Sequence, residues 1–84
     1  MVVRVTVADA EGAVELMQRV LQEVDVEDVN FEEPQQQVRI AVGRKPDEKL
    51  VEVLNLLEAW LGANGLPSTS VEIDDHRYVL GAAG

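Results

Sequence analysis

Val3-Arg4-Val5-Thr6-Val7 and Val38-Arg39-Ile40-Ala41-Val42 are two versions of one five-residue phrase. Each alternates, so each reads as a strand with one buried face and an arginine on the other. A second pair lies downstream of each. Asp28-Val29-Asn30-Phe31-Glu32-Glu33 matches Ser70-Val71-Glu72-Ile73-Asp74-Asp75. The chain is thus two copies of strand–helix–strand. Two such halves predict an α+β ferredoxin-like βαββαβ sandwich, with a four-stranded antiparallel sheet in order 4-1-3-2 and both helices on one face.

The first helix begins at Asp9, a suitable N-cap, with Glu11 in its first turn. Ala13, Leu16, Met17, Val20, Leu21 and Val24 then cover an apolar arc of about 160°, ordinary for a helix lying on a sheet. Glu33–Gln36, with Pro34, suits a hairpin loop. The second helix, Pro46–Leu61, is longer and greasier. Pro46 suits its first position, and Asp47 and Glu48 suit its positive end. Leu50, Val53, Leu54, Leu57 and Leu61 centre its apolar side, with Leu56 and Trp60 on one border and Val51 on the other. That arc is roughly 220° wide, more than one sheet face needs. The surplus border assigns Leu56 and Trp60 as the interface of a self-associating chain.

Gly62 or Gly65 ends this helix, and Leu66–Ser70 reads as a loop. Val71 and Ile73 mark the fourth strand. Asp75-His76 suits a tight turn into a short fifth strand, Arg77–Leu80. Residues 1–80 form one domain and 81–84 a flexible tail.

Aromatic residues are few (Phe31, Trp60 and Tyr78), so the core is aliphatic. No cysteine is present, which removes disulfides and thiol chemistry. The apolar runs are too short to span a membrane, and MVVRVTV alternates where a signal peptide would not; a cytoplasmic protein is expected. The net charge of −9 repels phosphate backbones, so nucleic acid is not an expected partner. An RNA-binding sheet of this topology would also need aromatics on its open face. That face instead predicts charge pairs, with Arg4 and Arg39 central and Asn30, Glu32, Glu72 and Asp74 on the edges.

One constellation suggests a pocket. Strands one and three are expected to be parallel neighbours, so their carboxyl ends bring Ala8–Gly12 and Gly43–Lys45 together where both helices start. Gly12, Gly43, Arg44 and Lys45 would then cradle a small anion on free N–H groups and the only basic cluster. Separately, Glu23–Glu33 holds six acids with no base among them. It guards an edge strand, or suits a basic protein partner. It lacks the central glycine and spacing of a calcium loop. Glu72, Asp74 and His76 alternate but are interrupted by the expected turn, so no metal is expected. No nucleophile elbow or phosphate loop is present, and one histidine makes a poor acid–base system. No catalytic residue and no cofactor are assigned.

Val5–Phe31, VTVADAEGAVELMQRVLQEVDVEDVNF, resembles the first half of an ACT domain. The likeness lies in the strand, in Asp9-Ala10-Glu11-Gly12-Ala13-Val14 leading into the helix, and in the second strand at Val29-Asn30-Phe31. In that family a glycine after strand one lets the backbone approach an amino-acid ligand at a dimer interface. The resemblance implies that role for Gly12, with Glu11 where the family usually has proline.

The expected function is a non-catalytic interaction domain that self-associates through the Pro46–Leu61 helix or a sheet edge. The alternatives are an ACT-like small-molecule or anion sensor, and an acidic inhibitor of a basic protein.

Overall fold

The computed structural model describes residues 1–82. The elements run β1 (Val2–Thr6), α1 (Ala10–Glu23), β2 (Asp28–Glu32), β3 (Gln37–Ala41), α2 (Pro46–Ala63), β4 (Ser68–Ile73) and β5 (His76–Gly81). They form one five-stranded sheet in the order β2-β3-β1-β4-β5, with every neighbouring pair antiparallel. The expected four-stranded sheet is therefore corrected to five strands.

The repeated phrases lie side by side at the centre of the sheet. Val3 faces Ile40, Val5 faces Val38, and Arg4 faces Arg39. Their apolar side chains are fully buried and share one core with Ala13, Leu16 and Val20 of α1 and Val53, Leu57 and Leu61 of α2. Both helices therefore cover the same face of the sheet. A side chain of this size taken fully out of water stabilises the fold by roughly 1.5–3 kcal/mol. Among the described residues no helix is long and apolar enough to cross a membrane.

Local chemistry sets the element ends. The Asp9 carboxylate accepts the Gly12 N–H at 2.8 Å and caps α1. At the end of α2, Leu66 N–H donates to Leu61 O (2.9 Å) and Gly65 N–H to Gly62 O (3.3 Å). This is a Schellman motif, and Gly65 supplies its left-handed residue, with φ +67°. Gly62 remains inside the helix.

The last hairpin differs from expectation. Its turn is Asp74-Asp75, with φ of 46° and 71°, and His76 is already in β5, opposite Ile73. Two consecutive left-handed residues make a turn that matches strand twist, and Asp tolerates that region better than bulky residues. The turn is clipped to β1: Val2 N–H donates to Asp74 Oδ1 at 2.9 Å, and Asp74 N–H donates to Val2 O at 3.1 Å. The expected Leu66–Ser70 loop shrinks because Ser68, Thr69 and Ser70 pair with Gly81, Leu80 and Val79. The Thr69 hydroxyl also donates to Thr6 O at 2.7 Å. Gly81 and Ala82, expected in a flexible tail, are held: Gly81 pairs in β5, and Ala82 N–H donates to Pro67 O at 3.0 Å. The remainder of that tail, 83–84, lies outside the described residues.

Candidate functional site

The four residues proposed for an anion pocket are not brought together. β1 and β3 are antiparallel, not parallel. Val42 exchanges hydrogen bonds with Met1 (2.8 and 3.3 Å), so Gly43, Arg44 and Lys45 follow on at the start of β1. Gly12 follows the other end of β1, roughly 17 Å of strand away. The two helices consequently start at opposite ends of the sheet.

Each half of that pocket is also occupied by the chain itself. The Gly12 N–H is held by the Asp9 carboxylate. A Cβ at Gly43 would lie 2.7 Å from the Glu27 carboxyl carbon, so the glycine makes room for an acid. Glu27 and Asp25 share a cleft of about 300 Å³ with Arg44 and Lys49. The two carboxylates put negative charge into the same cleft, which weakens its attraction for a further anion. Lys45 is the left-handed residue, φ 49°, that starts α2.

The interface assignment is corrected as well. Leu56 and Trp60 are only 6% and 2% exposed and belong to the chain's own core. The buried stripe of α2 is rotated by about 50° from its expected seat, toward the Leu56–Trp60 border. The cause is α1, which packs against that border. A Cβ on Gly12 would lie 3.9 Å from the Trp60 ring. The Trp60 indole N–H is buried with no hydrogen-bond partner among the described residues.

The rotation exposes the opposite border. Val51 is exposed, while Leu50 and Leu54 are only partly covered. Together with Val71, Ile73, Tyr78 and Leu80 they line a nearly wholly apolar cleft of about 320 Å³ between α2 and the last hairpin. β5 is the strand that the two helices fail to cover fully. Tyr78 is 53% exposed and Val79 75%. Its far side is one of the two edges of the sheet.

The backbone of β5 has a definite polarity. The Ala82–Pro67 bond and the Ile73–His76 pair closing the turn place His76, Tyr78 and Leu80 as the residues bonded to β4. Arg77, Val79 and Gly81 therefore aim their N–H and C=O groups at the free edge. The opposite edge, β2, is different. Asp28 lies 3.9 Å from Arg39, and Glu32 lies 3.0 Å from Arg4, on the open face. β5 contains no acid, and its Arg77 lies 3.5 Å from Glu72 of β4.

Of the charge pairs expected on the open face, Arg4–Glu32 is present; Arg39 lies near Asp28 and Glu72 near Arg77 instead, and Asp74 serves the turn. Glu72 and His76 point to opposite faces of the hairpin, so the alternating Glu72, Asp74 and His76 are not assembled as a ligand set. The residues missed from the sequence are Tyr78, Val79, Leu50 and Leu54. A signal existed for the first two. Tyr78-Val79-Leu80 is apolar on both faces, which an edge strand open to water should not be.

Comparison of the chain with protein-family models, curated proteins and solved structures finds no match.

Proposed function

We propose that this chain is a non-catalytic interaction domain that self-associates through the edge of β5. Its architecture is read as a ferredoxin-like sandwich, β2-β3-β1-β4, extended by one strand. The order of those four strands and the shared helix face support that reading. The observation that carries the function is the coincidence of an unguarded strand edge with an apolar cleft beside it. An exposed edge offers unpaired backbone groups, and natural sheets normally blunt such edges with charge or proline. Here β5 presents Val79 and Tyr78, and its one charged residue, Arg77, lies beside Glu72 of β4. A domain of 84 residues also gains stability from added apolar burial.

Sedimentation velocity over a concentration series tests this. The native chain should sediment as a dimer at high concentration. Val79→Lys, which places a charge on the edge without touching the core, should sediment as a monomer with an almost unchanged melting temperature. A native chain that stays monomeric throughout overturns the reading.

A further inference from the structure

We infer that the partner at β5 is a second copy of this chain, joined antiparallel about a two-fold axis at Val79. This rests on the edge reading above and adds to it a register and a symmetry.

The outward-facing backbone groups decide the register. Among the described residues of β5, only Arg77, Val79 and Gly81 offer N–H and C=O to the free edge. With Val79 opposite the partner's Val79, Arg77 falls opposite the partner's Gly81, and Gly81 opposite the partner's Arg77. Every outward group within His76–Gly81 then belongs to a hydrogen-bonded pair, each exchanging two backbone bonds. Centring the axis on Tyr78 or on Leu80 leaves one outward residue of each strand without a strand partner. Centring it on Arg77 sets the two guanidinium groups against each other, which is unfavourable.

Side chains agree with the same register. On the helix face Tyr78 lands beside the partner's Leu80. Each Tyr78 ring thereby meets the mouth of the other copy's cleft, between Leu50, Leu54 and Leu80. On the open face the two Val79 side chains, each 75% exposed in one chain, cover one another. Charge favours a copy joined here over one joined elsewhere. A chain of net charge −9 repels its like over most of its surface, but β5 carries His76 and Arg77 and no acid. The acidic β2 edge does not offer that contact. The product is a closed pair with one continuous ten-stranded sheet, and the same patch is used on both sides.

The absence of native cysteine makes the test direct. Tyr78→Cys, Val79→Cys and Leu80→Cys chains are oxidised separately. Hydrogen-bonded antiparallel pairs have Cα atoms about 5.5 Å apart, within disulfide reach. Val79→Cys should cross-link to itself at least tenfold faster than either neighbour alone. Mixing the Tyr78→Cys and Leu80→Cys chains should give the mixed disulfide in preference to either homodimer. Self-linkage dominated by Tyr78→Cys or by Leu80→Cys overturns the register. A second measurement needs no variant. Amide exchange of Arg77, Val79 and Gly81 should slow as protein concentration rises, while His76, Tyr78 and Leu80 stay protected throughout. Exchange that slows at β2 instead overturns the two-fold. A sedimenting dimer without the Val79 cross-link sinks this geometry alone, whereas a monomer sinks the edge reading with it.

Discussion

The two edges of this sheet carry opposite solutions to one problem. β2 ends the sheet with Asp28 near Arg39 of β3 and Glu32 paired with Arg4 of β1, and its helix side packs against α1. β5 ends it with Tyr78, Val79 and Leu80, beside a helix turned partly away. Both edges expose backbone groups of the same strength. What differs is the side chains and the cover. On the reading proposed above, an edge becomes a contact surface by what it lacks: acids to repel a second acidic chain, and a helix to occupy its apolar face.

The largest expected effect asks whether association belongs to the edge or to the helix. Trp60→Ala should destabilise the fold by about 3–5 kcal/mol in urea denaturation, because it opens a cavity in a close-packed core. The fraction still folded should associate as the native chain does. Weakened association with unchanged folding would return the contact surface to the Leu56–Trp60 border.

Next comes Val79→Pro. Its lost N–H points away from β4, so the hairpin should survive and the melting temperature should move little. The pair should weaken by about two orders of magnitude, through two lost backbone bonds of ~1–1.5 kcal/mol each. Analytical ultracentrifugation reads this. Leu80→Pro is the contrast: it removes a bond to β4 and should destabilise the hairpin itself.

Removing the guard from β2 is a smaller change. The double substitution Asp28→Asn and Glu32→Gln should lower stability by no more than ~1 kcal/mol per pair, since both pairs are partly exposed. It should also give β2 a capacity to associate, seen as species larger than the dimer in light scattering. No such species would mean that the acids are not what keeps β2 bare.

The smallest effect is that of salt. Between 0.1 M and 1 M the screening length falls from about 10 Å to about 3 Å. Two acidic copies should therefore bind a few-fold more tightly at high salt in a dilution series. Weaker binding at high salt would point to an attractive ion pair at the contact.

Much of the architecture was legible in the chain. The repeated phrases around Arg4 and Arg39 marked the central strands, because strict alternation leaves only one face to bury. The caps at Asp9, Pro46 and Gly65 are local chemistry and could be read locally. The ends of β4 and β5 are less legible. Ser68-Thr69-Ser70 has no apolar alternation, and the turn at Asp74-Asp75 lacks the glycine that usually marks one. The expected anion pocket failed for a different reason. It depended on the relative direction of β1 and β3, which no residue spacing records. The interface failed because a helical wheel shows how wide an apolar arc is, but not which way the helix rolls.

By itself, then, the chain determined where both helices and the central strands form, which side chains are apolar on each, and that its net charge is acidic. Those properties follow from periodicity, capping and charge, which act between near neighbours. Only the tertiary structure decided that α2 rolls toward α1, burying Trp60 and uncovering Leu50 and Leu54, and that β5 is left as an open edge. Those outcomes come from packing between elements distant in the chain, where contact with α1 decides which part of the apolar arc of α2 is buried.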